Sequence, residues 1–158
     1  MANKYLPHVH VIPEDDANRQ IALSLLLELG LNPNRYQVFP PARGWSHVIK
    51  SFELDHVANM DRFPEQFIIL LIDFDEDTSR LEYAKSRIPP NLADRVFILG
   101  AWSQPEDLKK QFGSFDNIGA ALAQDCQKQT SAIWSHPLLQ INATELDRIQ
   151  TLVCPLVL

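Results

Sequence analysis

Two acidic clusters carry most of the chemistry open to this chain. Glu14-Asp15-Asp16 follows the short apolar-rich segment Val9-His10-Val11-Ile12, and Asp73-Phe74-Asp75-Glu76-Asp77 follows the run Phe67-Ile68-Ile69-Leu70-Leu71-Ile72. Crowded carboxylates repel one another unless a cation or a basic partner neutralises them. Hard oxygen donors suit Mg²⁺ or Mn²⁺, which take a few carboxylates and complete their shells with water and substrate phosphates. Glu14, Asp73, Asp75 and Asp77 are the candidate metal ligands, and Glu14, Asp73 and Asp75 the candidate catalytic groups. Asp73 and Asp75 lie two apart, so a strand continuing through them would put both on one face and Phe74 on the other. A glutamate facing them could take a nucleophile's proton or hold a second cation.

Plainer readings stand beside these. Glu14, Asp15 and Asp16 can cap and charge a helix N-terminus, where carboxylates are favourable. Asp75 to Asp77 can form a solvated loop and the cap of a helix starting at Thr78. Asp73 is harder to treat this way, because it abuts six residues of buried type.

The elements that must position these groups alternate. Strands are expected at residues 9–12, 37–39, 67–72 and 95–100, the last two with the continuous apolar character of strands buried on both faces. Helices are expected from about Ala17 to Gly30, with Ile21, Leu25 and Leu26 or Leu29 inward, and from about His47 to Asn59, with Val48, Phe52 and Val57 inward. Further helices are expected over 78–86, from Pro105, over 117–126 and over 144–152, with a break at Ser135-His136-Pro137. Strands separated by helical stretches imply right-handed crossovers and a mainly parallel sheet. The expectation is one α/β domain over residues 1–158, with a core at about 5–105 and a helical C-terminal extension at about 106–158. Both acidic clusters then meet at the carboxyl edge of the sheet, where open α/β folds place their ligand sites.

This layout resembles the TOPRIM (topoisomerase-primase) fold, whose signature is a glutamate after the first strand and an Asp-x-Asp after a later one. Glu14 with Asp73 and Asp75 carries the resemblance, which spans roughly the first hundred residues and is closest to small stand-alone bacterial TOPRIM-like proteins. It implies metal-dependent nucleotidyl transfer or hydrolysis, nuclease-like, on nucleic acid or nucleotides. Several members of the fold have glycine after the glutamate; this chain has Asp15. The resemblance also makes Arg43 and Lys50, flanking Gly44, candidate phosphate contacts. No tyrosine stands out as a topoisomerase nucleophile.

The 158 residues carry a formal charge of -6, with 46% apolar and 22% charged residues. That composition is globular, and the acidic balance argues against nucleic acid held by bulk charge. The acidic balance, the missing glycine and the modest basic complement favour a second reading, a non-catalytic TOPRIM-like or flavodoxin-like module that binds a protein partner or senses a ligand. A receiver-type phosphoacceptor is a third, weakened by the lack of a lysine after a late strand. The residues Met1 to Tyr5 lack a signal-peptide core, and no apolar run could span a bilayer, so a cytoplasmic protein without membrane contact is expected.

Other groups carry weaker signals. His8 and His10 share a strand face and could bind a transition metal, but no third ligand has a recognisable spacing. Cys126 and Cys154 lie in different segments without metal spacing, so neither a disulfide scaffold nor a zinc site is expected, and Cys126, in an Ala-Leu-rich segment, reads as core packing rather than as a thiol paired with His136. Trp45 and Trp102 follow strands, where an aromatic covers the core edge or stacks on a base. No Gly-rich phosphate loop, nucleophile elbow or dinucleotide fingerprint occurs.

Overall fold

Four parallel strands form one sheet in the order β2-β1-β3-β4. They are β1 (His8–Pro13), β2 (Tyr36–Val38), β3 (Gln66–Leu71) and β4 (Val96–Leu99). The computed structural model describes residues 2–130 and 132–152. The sheet is flanked by helices: α1 (Asp16–Glu28), α2 (Trp45–Ser51), α3 (Val57–Arg62), α4 (Thr78–Ser86), α5 (Pro105–Phe112), α6 (Phe115–Lys128) and α7 (Ala143–Leu152). The expected α/β architecture, parallel sheet and helical C-terminal part are all present, and Cys154 lies outside the described residues.

The centre of the sheet follows from composition. β3 pairs with β1 over six residues and with β4 over four, so both its faces are covered, and from Gln66 to Leu70 it is buried throughout. Alternation then divides the core in two. Val9, Val11, Phe67, Ile69, Phe97 and Leu99 meet Ala22 and Leu26 of α1 on one face. Ile12, Ile68, Leu70, Ile72, Val96 and Ile98 meet Val48, Ile49 and Phe52 on the other. β2 has only three half-buried residues, as an edge strand stopped by Pro40-Pro41 should.

The segment expected as one helix over 47–59 departs from regularity. It is α-helical to Ser51, widens into a π-helical turn over Phe52–His56, and resumes as α3. Phe52 and Met60 stay fully buried, whereas Val57 is half-buried, so the turn re-aims the inward face without unburying it.

The far edge of the sheet is closed by side chains. Just past β4, the Asn142 amide accepts from the Gly100 N–H (3.0 Å) and donates to the Gly100 carbonyl (2.8 Å). Arg148 of α7 donates to the Val96 carbonyl (3.3 Å) and lies 4.7 Å over the Phe97 ring. Gly100 must be glycine, since a Cβ there would run into the Ile72 backbone.

Candidate functional site

In the order 2-1-3-4, connections leave β1 and β3 toward opposite sides, so the loops after them flank the switch point where open α/β sheets bind ligands. Both acidic clusters sit there, as their places after β1 and β3 require. The loops are firmly pinned. Glu14 N–H donates to the Leu71 carbonyl (2.9 Å), while Ala42 and Arg43 N–H donate to the Pro13 and Glu14 carbonyls. On the other side, Ile72, Phe74 and Glu76 N–H donate to Leu99, Ala101 and Trp102 carbonyls, and Phe74 is buried as the anchor between them.

Glu14 and Asp73 are brought together. The Glu14 carboxylate accepts the Asp73 N–H at 2.6 Å and a second backbone N–H, that of Trp45 at the start of α2. Burial pushes its carboxyl above the ordinary value, with Asp15 adding to this, against the two N–H bonds and the charge of Arg80. Asp15 is the α1 N-cap, its side chain accepting the Asn18 N–H at 2.9 Å. Asp73 accepts from the Asn18 side-chain amide at 3.3 Å, and Asn18 is itself 5% exposed. Burial is the largest cause that lifts the Asp73 carboxyl from 3.8 to about 7, followed by the negative fields of Asp15 and Glu14 and a smaller one from Glu106. A carboxyl that exchanges its proton near neutrality at a switch point fits a catalytic or cation-exchanging group.

Asp75 and Asp77 diverge from it. The strand ends at Leu71, and Asp75 and Glu76 adopt left-handed backbone (φ 51° and 57°), so Asp73 and Asp75 do not share a strand face. Aspartate tolerates that region better than most residues. The Asp75 carboxylate is 66% exposed, 3.4 Å from Arg80. Asp77 caps α4, accepting the Ser79 N–H at 2.9 Å, and hydrogen bonds from the Ser79 hydroxyl and, next, its N–H hold the carboxyl below its ordinary value. Among the described residues no three His, Cys, Asp or Glu side chains converge to hold a metal ion. The quartet Glu14, Asp73, Asp75 and Asp77 is thus not a preformed cage: one member is spent on backbone amides, one on a cap, and one is turned away.

The basic candidates also separate. Arg43 sits at the rim in left-handed backbone (φ 63°), with an exposed side chain. Lys50 is exposed but five residues into α2, roughly 7 Å farther along the axis at 1.5 Å per residue. The cation actually joined to the acidic loop is Arg80. It donates to the Asp73 carbonyl (2.8 Å), pairs with Asp75 and lies 5.2 Å over the Trp45 ring. Trp45 thus covers the rim, with Tyr83 edge-on to it. No family model, curated protein or solved structure matches the chain. The site therefore rests on its own geometry.

Sequence reasoning did not single out Arg80 or Asn18. A sign of Arg80 existed: a cation in the first turn of a helix opposes the dipole and so calls for a nearby acid. Asn18 carried no such sign. Elsewhere, Cys126 is buried as expected but is disulfide-bonded, against the expectation of no disulfide, and His136 meets Gln111 at 2.8 Å, so no thiol–imidazole pair forms.

Proposed function

We propose that the rim between β1 and β3 binds a divalent cation and a phosphate-bearing ligand, as a TOPRIM-type phosphoryl-transfer site that hydrolyses nucleic acid or nucleotides. The observation that carries this reading is Asp73, half-buried at the switch point in the fields of Asp15 and Glu14, its carboxyl raised to about 7. A proton held that way is readily displaced by Mg²⁺ or Mn²⁺, because the cation relieves the same repulsion. Asp73 would supply a carboxylate of the one or two that Mg²⁺ commonly takes from protein, the rest of its shell being water and phosphate oxygens. The cation would neutralise charge and orient the phosphate. Glu14 acts through position, fixing the Asp73 backbone and the start of α2. Arg80, already held at the rim, replaces Lys50 as the phosphate contact, with Arg43 beside it.

Calorimetric titration of Mn²⁺ and Mg²⁺ into the wild type and Asp73→Asn tests this, together with metal-dependent cleavage of single- and double-stranded DNA, RNA and a phosphodiester ester. The reading expects saturable binding and turnover in the wild type, both lost in the variant. Binding that is absent even with a nucleotide present, with no turnover, would refute it.

The commitment of Glu14 to two backbone N–H groups favours a second reading. In it the acidic rim is a structural junction, and the chain is a non-catalytic binding module for a protein partner. That reading expects Asp73→Asn to fold normally and no substrate to be turned over.

A further inference from the structure

A separate cavity of about 480 Å³ opens beneath the π-helical turn, against the N-terminal halves of β1 and β3. Its volume lies within the roughly 300–1,000 Å³ typical of small-molecule sites. Its marker on β1, His10, is four residues before Glu14, about 13 Å away along the strand at 3.3 Å per residue. One wall is built of rings packed edge to face. His10 and Phe39 are 5.1 Å apart between centroids, Phe39 and His56 4.8 Å, and His10 and His56 5.9 Å. Phe63 borders the mouth, with the Lys4 ammonium 4.9 Å over its ring. The amides of Gln37, Asn59 and Gln66 also line it, the Asn59 amide N–H donating to the Asp55 carbonyl and the Gln66 amide meeting His10 Nδ1, each at 3.3 Å.

Two independent features point to a missing partner here. His56 lines the cavity and is 5% exposed, yet its Nδ1 has no hydrogen-bond partner. Buried polar atoms without partners are uncommon in native interiors. In addition, His56 closes the π-helical turn, a rare backbone form that concentrates at functional sites.

Charge narrows the ligand. Burial, reinforced by His8 and His56, holds His10 at about 3, and burial also lowers His56, so both rings are neutral at neutral pH; His10 Nδ1 is paired with the Gln66 amide at 3.3 Å, whereas His56 keeps an unused nitrogen. Asp55 and Lys4 both line the cavity from exposed positions, so their opposite charges offset and favour neither an anion nor a cation. No three metal-ligating side chains converge among the described residues, so the imidazoles act as hydrogen-bonding groups rather than as a ligand set. Aromatic walls flanked by amides suit a flat molecule with its own donors and acceptors. We propose that this pocket binds a small, flat, uncharged heteroaromatic molecule of the nucleobase or nucleoside class, with His56 and the neighbouring amides reading its polar edge.

The test uses the full chain, with adenosine and guanosine as probes and AMP as the anionic counterpart, followed by calorimetry and ligand-observed NMR. His56→Phe keeps a ring against Phe39 but removes both nitrogens. Asn59→Trp, at an exposed helix position, blocks the mouth and keeps the test decisive should the first variant fail to fold. Saturable nucleoside binding at millimolar affinity or tighter is expected, weakened about tenfold or more in either folded variant and in AMP. The proposal is overturned by no saturable binding of either nucleoside, by binding that survives both variants, or by AMP binding more tightly than adenosine. A Zn²⁺ isotherm lost in His56→Phe, without any nucleoside response, would overturn it in favour of a metal.

Discussion

Replacing Asp73 with asparagine should stabilise the protein at about pH 8 and change little below about pH 4. Asparagine keeps the size of the side chain and an oxygen that can accept from Asn18. The bonds from the Asp73 N–H to Glu14 and from Arg80 to the Asp73 carbonyl involve main-chain atoms and survive. Only the ionisable group is lost. The folded protein holds this proton up to about pH 7, whereas an ordinary aspartate releases it at 3.8. Between those values the native state binds more protons than the unfolded one, so this group's contribution to stability falls as pH rises. At 1.36 kcal/mol per pK unit the three-unit gap is nominally ~4 kcal/mol. Asp73 is half-buried at an open rim, and solvent screening reduces that to ~1–2 kcal/mol. For a chain of this size the gain is a midpoint about 3–6 °C higher. Thermal unfolding of both proteins in EDTA at unit steps of pH measures it. An asparagine variant less stable than the wild type at the alkaline end, or a difference that ignores pH, would refute the reasoning. Adding Mg²⁺ should then raise the wild-type midpoint alone and narrow the gap, since a ligand of the native state stabilises by mass action.

Three further outcomes follow from buried groups elsewhere. The 2% exposed Asp125 carboxylate accepts from Thr130 Oγ1 and from the N–H groups of Ala132, Ile133 and Trp134. Asp125→Ala should cost about 2–4 kcal/mol in urea unfolding. Burial raises its proton affinity, but these bonds outweigh burial and depress it below 3.8, so its contribution is present above that pH and lost as pH falls beneath it. His10 is also depressed, from 6.5 to about 3, by burial and by its histidine neighbours, so the native state resists a proton that the unfolded chain accepts. Stability should fall as pH drops below 6.5, and His10→Gln should recover ~1 kcal/mol of that loss at about pH 5, after discounting for partial exposure, when the two unfolding curves are compared. Gly100→Ala should lower stability by about 3 kcal/mol or more, measured by chemical unfolding, because its Cβ would meet backbone that cannot yield.

Much of the scaffold was legible because a few residue patterns admit one solution. Phe67 to Ile72 could only be a strand covered on both sides, and that placed Asp73 at the carboxyl edge. Asp15 has a side chain that caps, followed by an amphipathic stretch and by Gly30, whose positive φ (70°) ends α1 as expected. The site was less legible where long-range packing decides. Nothing local distinguishes Asp75 in a left-handed turn from Asp75 in an extended strand, because the turn is set by bonds to Ala101 and Trp102 in a distant segment. The π-helical turn is similarly a tertiary choice, since residues 47–59 carry ordinary helical spacing. Glu14 looked like a ligand because sequence shows its charge but not the two backbone N–H groups it satisfies.

The side chains that seal β4 have a consequence for how this protein meets others. A sheet edge with free amides and carbonyls is a template for strand addition, by a partner or by another copy. Here Asn142 occupies the hydrogen-bonding positions of Gly100, and Arg148 takes the Val96 carbonyl, so two side chains stand where a fifth strand would pair. At the opposite edge β2 offers only three residues before Pro40-Pro41, which cannot donate. Neither margin is suited to β-augmentation or to runaway edge-to-edge aggregation. Recognition by this protein is thereby channelled away from backbone pairing and onto side-chain surfaces.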